Sequence, residues 1–159
     1  FLGGVARSIG PLAKYYAATG YAPALQLATL LKDKVLCEYL LPDGEYHEAL
    51  GHHTHSVTCV MSSLAQLAMM TRDAPLMERV RKFYCNGLET ISNEIGWSLE
   101  NASGKFHLHR GEANNTGDIL ETVLLLAQWG YTDCFHRVER ILRCHLLPSQ
   151  LRDVSFLAN

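Results

Sequence analysis

The sequence predicts an all-α fold of helical hairpins, on three observations. An apolar helix, a tight turn and a second helix recur in LAKYYAATGYAPALQLATLLKDKVLCEYLL, LAQLAMMTRDAPLMERVRKFYCNGLETI and LLLAQWGYTDCFHRVERILRCHLL. The turns, Thr19-Gly20-Tyr21, Thr71-Arg72-Asp73 and Trp129-Gly130-Tyr131, follow one another at about 50 to 60 residues, a spacing that suits stacked helix pairs. Alternation at period two, the mark of a half-buried strand, is nowhere sustained.

The first hairpin turns at Gly20. In the second, the segment Val57 to Met70 is apolar on nearly every face and must be covered on two sides, which places it in an inner layer. Its partner, Leu76 to Ile91, sets Arg79, Arg81, Lys82 and Glu89 among apolar residues at helical spacing, so one stripe packs and the other meets water. The third hairpin repeats this with Ile119 to Trp129 inside and Phe135 to Leu147 outside, the latter carrying Arg137, Glu139 and Arg143. Inner and outer helices alternating along the chain are the pattern of an α/α toroid or solenoid, in which the inner helices run parallel. Three hairpins make an incomplete ring. The expectation is a single all-helical domain over residues 1–159, a fragment of a larger α/α-barrel protein. Its open apolar flanks would be covered by self-association or by missing parts of a longer chain.

Composition narrows the function. Of 159 residues, 48% are hydrophobic and 19% charged, the profile of one globular domain with enough apolar mass for a core. A formal net charge of -2 provides no basic field for a phosphate backbone, so no nucleic-acid partner is expected. The apolar runs break before a membrane span is reached, so no membrane partner is expected either. Five cysteines without a C-x-x-C pair read as reduced, packed thiols and point to a cytoplasmic location.

Chemistry concentrates in two stretches. GHHTH, at 51 to 55, places His52, His53 and His55 just ahead of the second inner helix, and GEANNTGD, at 111 to 118, places Glu112, Asn114, Asn115 and Asp118 just ahead of the third. Parallel inner helices about 8 to 10 Å apart bring both stretches to one rim. The connections that carry them, about 42 to 55 and 96 to 117, are longer than ordinary helix links, and such loops carry sites. Asn115, Thr116 and Asp118 also suit a helix cap and first turn, as Ser56 or Thr54 suits a cap for the helix near Val57. Glu112, upstream beside Gly111, is not explained by capping. Histidines at a helix N-terminus gain nothing from its dipole, so they read as groups that bind a hydroxyl, relay a proton or ligate a metal. Cys59, inside the apolar helix, reads as a packed thiol, which leaves His53 and His55 short of a zinc donor set. No metal and no cofactor are expected.

The stretches GHHTHSVTCVMSSLAQLAMMTRDAPLMERVRKFY and GDILETVLLLAQWGYTDCFHRVERILRCHLLPSQL resemble the six-hairpin α/α-barrel glycosidases, nearest the β-L-arabinofuranosidase group and its uncharacterised relatives. The resemblance runs from about Gly51 onward. It implies that a histidine-bearing helix start and a Glu-Thr-Cys helix start face the sugar, with the glutamate and cysteines on zinc and one cysteine as nucleophile. Glu112 falls near the family's glutamate. Asn114 stands two places on, where the family has cysteine, and no Cys-Cys pair exists, so zinc and a cysteine nucleophile are not carried over.

Two readings follow. In one, the protein is a glycoside hydrolase whose carboxylates are Glu112 or Asp118 with Glu48 on the facing loop, while His52, His53, His55, Asn114 and Asn115 bind the carbohydrate. In the other it is a non-catalytic helical scaffold or sugar-binding module. The discriminator is whether two carboxylates meet in an open cavity with a polar, aromatic lining.

Overall fold

In the computed structural model, which describes residues 1–102 and 110–155, the chain is all-helical, with no strand among the described residues. The middle of the connection expected over 96–117 and the end of the C-terminal tail lie outside the described residues.

Each hairpin turns where its local residues allow. α1 (Ile9–Thr19) stops at Gly20, whose φ of 70° is left-handed and whose amide donates to Tyr16 O. α2 (Ala22–Glu38) begins at once with Pro23 in its first turn, where a missing N–H costs nothing. α3 (Thr54–Thr71) ends on Arg72 at φ 57°, and Asp73 caps α4 (Ala74–Phe83) by accepting from the Leu76 amide at 2.9 Å. α4 continues through a π-helical turn, Tyr84–Leu88, into Glu89–Ile91. α5 (Ala113–Trp129) ends on Gly130 at φ 130°. α6 (Cys134–Ile141) runs into a second π-helical turn, Leu142–Leu146.

Two layers result. α1, α3 and α5 pack side by side, and α2, α4 and α6 each lie against the helix before them. α3, with an inner neighbour on both sides, buries Ala68 and the larger Val57, Val60, Met61, Leu64 and Leu67, each of these five worth about 1.5 to 3 kcal/mol of transfer free energy. α4 buries only the stripe Leu76, Met77, Val80 and Phe83, and α6 only Ile141, so the first helices of these two hairpins are the deeper ones. α1 approaches α3 closely at Gly10, where a Cβ would stand 2.7 Å from Ser63 Oγ. In the outer layer Arg79 donates to Leu36 O at 3.3 Å and Leu40 O at 2.9 Å, using carbonyls left free at the end of α2 to tie it to α4. No helix among the described residues is long and apolar enough to cross a membrane, and the five cysteines are free thiols.

The helix starts differ from expectation. α3 begins at Thr54 rather than near Val57, with His53 as the N-cap and no side-chain cap bond from Ser56 or Thr54. α5 begins at Ala113, which puts Asn115 and Thr116 in its first turn and Asp118 in its second. Polar residues that read as caps find partners sideways, in a loop or in the next helix, so the helix runs on beneath them.

Candidate functional site

The rim at the start of α3 and α5 is built by three extended pieces of chain. Residues 98 to 102 lie between the other two. Thr54 N donates to Glu100 O at 3.0 Å and Ala102 N to His52 O at 2.7 Å on one side, and Glu100 N donates to Arg110 O at 2.8 Å on the other. Isolated antiparallel bridges join His53 to Asn101 and Leu99 to Gly111. Trp97 packs over Gly111, where a Cβ would overlap the indole nitrogen, and this contact sets the backbone just before Glu112.

His53 and Glu112 meet here, Nε2 to Oε2 at 3.5 Å. A chain of bonds fixes the imidazole. Arg7, which can only donate, gives a hydrogen bond to Ser56 Oγ at 3.0 Å, and Ser56 Oγ lies 2.9 Å from His53 Nδ1. Ser56 is buried and has no other side-chain partner among the described residues, so its proton points at Nδ1 and His53 carries its own on Nε2, toward Glu112. Glu112 takes the N-cap backbone position of α5 without a side-chain cap bond, and its Oε2 is shielded from solvent with no hydrogen-bond partner. Glu100 completes the group: ligand atoms of His53, Glu100 and Glu112 all lie within 4.8 Å of one another. One imidazole nitrogen and two carboxylates are donors that a divalent first-row cation accepts, and they are the residues that could hold one.

A second pair stands beside the first. His55 Nδ1 lies 3.0 Å from Asp118 Oδ2, and Thr58 Oγ1 donates to the same oxygen at 2.9 Å. Burial pushes the Asp118 carboxyl above its ordinary range, against the bond from Thr58 and the attraction of His55. The His53 and His55 rings meet edge to face, with centroids 6.1 Å apart. Burial, with the nearby Asp118 charge, also pushes the Cys59 thiol up, so it is a poor nucleophile.

The candidates from the sequence separate into groups. His53, His55, Glu112 and Asp118 come together as described. His52 is exposed and lines, with His53, Ser56, Tyr39 and Phe1, a groove of about 300 Å³ in which the Phe1 and Tyr39 rings stack at 5.6 Å. Asn114 is exposed. Asn115 is fully buried and donates to Ser98 Oγ at 3.0 Å, so its side chain anchors the 98 to 102 segment rather than facing a ligand. Glu48 sits exposed in a 3-10 turn, Glu48–Leu50, and is not a member of the carboxylate cluster. The carboxylate that meets Glu112 is Glu100, which the sequence analysis did not single out. No motif marks it, and only the length of its connection hinted at a role.

A larger cavity, about 560 Å³, opens between the end of α4 and α6. Both of its arginines are taken up by carboxylates, Arg137 by Glu89 and Arg140 by Glu94, so the smaller groove beside the His53 cluster is preferred as the ligand site. Comparison of the chain with protein-family models, with curated proteins and with solved structures gave no match.

Proposed function

We propose that the protein is carbohydrate-active, with a glycoside-hydrolase-like site on the rim where α3 and α5 begin. The observation that carries this reading is the approach of Glu100 and Glu112, with His53, to within 4.8 Å on an accessible rim. Glycoside cleavage uses two carboxyl groups at the scissile bond, about 5 to 5.5 Å apart when configuration is retained and about 6.5 to 9.5 Å apart when a water must fit between them. The Glu100 and Glu112 oxygens favour the retaining geometry, one carboxylate adding to the anomeric carbon and the other protonating the leaving oxygen. The neighbouring groove supports a sugar as ligand: Tyr39, stacked on Phe1, lines it with aromatic carbon, and His52 offers polar atoms to its hydroxyls. In this reading the hairpins form part of an α/α toroid, and arabinofuranosides are the first substrates to try.

The second reading, a non-catalytic sugar-binding module, is favoured by the approach of His53 Nε2 to Glu112 at 3.5 Å, which engages one of the two carboxylates. Hydrolysis of a p-nitrophenyl glycoside panel that includes arabinofuranosides separates the two. Glu112→Gln and Glu100→Gln are each expected to lower turnover by about 10²- to 10⁴-fold with little change in melting temperature, and the product should keep its anomeric configuration by NMR. EDTA should leave the rate unchanged; a loss restored by zinc or manganese would instead make the cluster a metal site. Wild-type protein that binds sugar and cleaves none of the panel would establish the binding module. Glu112→Gln with full activity would show that Glu112 is not one of the reacting carboxylates.

A further inference from the structure

We propose that Asp118 is a positioning residue, which holds His55 with its proton on Nδ1 so that Nε2 is a lone-pair acceptor for a ligand hydroxyl. This deepens the carbohydrate reading and rests on it for the ligand, though not for the state of the imidazole.

The geometry decides which partner gives the proton. Asp118 Oδ2 receives two contacts, from Thr58 Oγ1 at 2.9 Å and from His55 Nδ1 at 3.0 Å. Thr58 has one hydroxyl proton. Its other acceptor, His55 O, is at 3.4 Å, so the proton goes to Asp118. An oxygen already accepting from Thr58 acts as acceptor in the second contact as well, and His55 therefore donates from Nδ1. A neutral imidazole that donates from one nitrogen accepts at the other. His55 Nε2 has no protein hydrogen-bond partner among the described residues.

The placement suits a ligand contact. His55 and Thr58 are three residues apart on the face of α3 that meets α5, and Asp118 stands across from both on α5. The side chains of His55 and Asp118 are 21% and 18% exposed, so the pair is accessible without being freely hydrated. The His55 ring abuts that of His53, whose Nε2 faces Glu112. The two histidines are held in opposite tautomers: the Arg7 and Ser56 chain puts the His53 proton on Nε2, and the Asp118 and Thr58 pair puts the His55 proton on Nδ1. The rim thus presents a donor nitrogen engaged with a carboxylate and, beside it, a free acceptor. Asp118 itself, with one oxygen accepting twice, is placed to orient an imidazole rather than to exchange protons with a substrate.

Long-range ¹⁵N–¹H NMR of the uniformly ¹⁵N-labelled full chain, without ligand, reads the tautomers directly. The expected result is His55 as the Nδ1–H form and His53 as the Nε2–H form in one spectrum. Asp118→Ala removes the acceptor and should release His55 from the Nδ1–H form toward the Nε2–H form that a free imidazole favours, and leave His53 unchanged. Asp118→Glu should restore the original form at least in part. Where a p-nitrophenyl glycoside of the panel is turned over, Asp118→Ala should lower kcat/KM by about 10-fold or more, as the wrong tautomer does in other hydrolases. Wild-type His55 found in the Nε2–H form overturns the proposal, and this measurement needs no variant to fold. Asp118→Ala that leaves the His55 tautomer as in wild type overturns it too. Tautomers as expected in a protein that cleaves nothing in the panel would uphold the positioning and remove only the hydrolase reading.

Discussion

The contact between Gly111 and Trp97 shows how a single hydrogen atom in place of a side chain sets a site. A Cβ at Gly111 would overlap the Trp97 indole, and Gly111 precedes the residue whose carboxylate faces His53. Gly111→Ala must therefore push the indole aside or move the backbone under Glu112. The expected cost is about 1 to 3 kcal/mol, the range for inserting a methyl group into packed surroundings. Chemical denaturation measures it, and the tryptophan emission spectrum should shift with it, since Trp97 must take a new environment. Unchanged stability and emission would show that the methyl group is accommodated without displacing the indole and that Glu112 needs no such support. Glu112 is sensitive to small displacements because its shielded Oε2 has no hydrogen bond to hold it, only His53 at 3.5 Å.

At the scale of elements, the first turn of α5 acts as a clasp. Thr116 donates from Oγ1 to Gly96 O at 3.0 Å, and His145, from the end of the third hairpin, sets Nδ1 at 3.2 Å from Thr116 Oγ1 and 3.3 Å from Ile95 O. Asn115 adds its bond to Ser98. Thr116→Val keeps the shape of the side chain and removes the donor, which leaves a buried carbonyl unpaired at a cost of about 1 to 3 kcal/mol. Hydrogen exchange should then quicken over residues 95 to 101, read by mass spectrometry; protection equal to wild type would show that the segment is held from elsewhere. This clasp also explains what the sequence could and could not convey. Helices and hairpin turns were legible because their signals are local: a 3.6-residue apolar period, a left-handed Gly20 or Gly130, an Asp73 cap. The meeting of His53 and His55 with Glu112 and Asp118 followed from one further step, that neighbouring inner helices share a rim. Glu100 was not legible, since no spacing along the chain relates positions 53, 100 and 112, and only the folding back of residues 98 to 102 joins them. Asn115 misled for the opposite reason. An amide in a polar loop-like run reads as a ligand group, yet its bond partner is the returning segment.

The whole molecule has one inner helix fully housed and two that are not. α3 lies between α1 and α5, whereas α1 and α5 each have a single inner neighbour. The exposed apolar side chains lie mostly on the outer helices: nearly all of α3 past its first turn is covered and α1 exposes Tyr15 at 54%, whereas α2 exposes Leu27 at 47% and Leu30 at 66% and α6 exposes Phe135 at 47%. Apolar groups scattered singly over a surface are ordinary, but several large ones on one hairpin form the kind of patch that soluble chains tend to cover. We expect the chain to self-associate through the first hairpin. Light scattering across a concentration series should show mass rising above 17.7 kDa, and Leu27→Glu with Leu30→Glu should return it to that value while the helical circular dichroism stays unchanged. Both positions are exposed on the outer helix of that hairpin, so the substitutions cost little within one chain and act on association. A mass of one chain at every concentration would show that this surface is tolerated bare. Association that survives both substitutions would move the interface to the third hairpin, where Phe135 is the residue to change next.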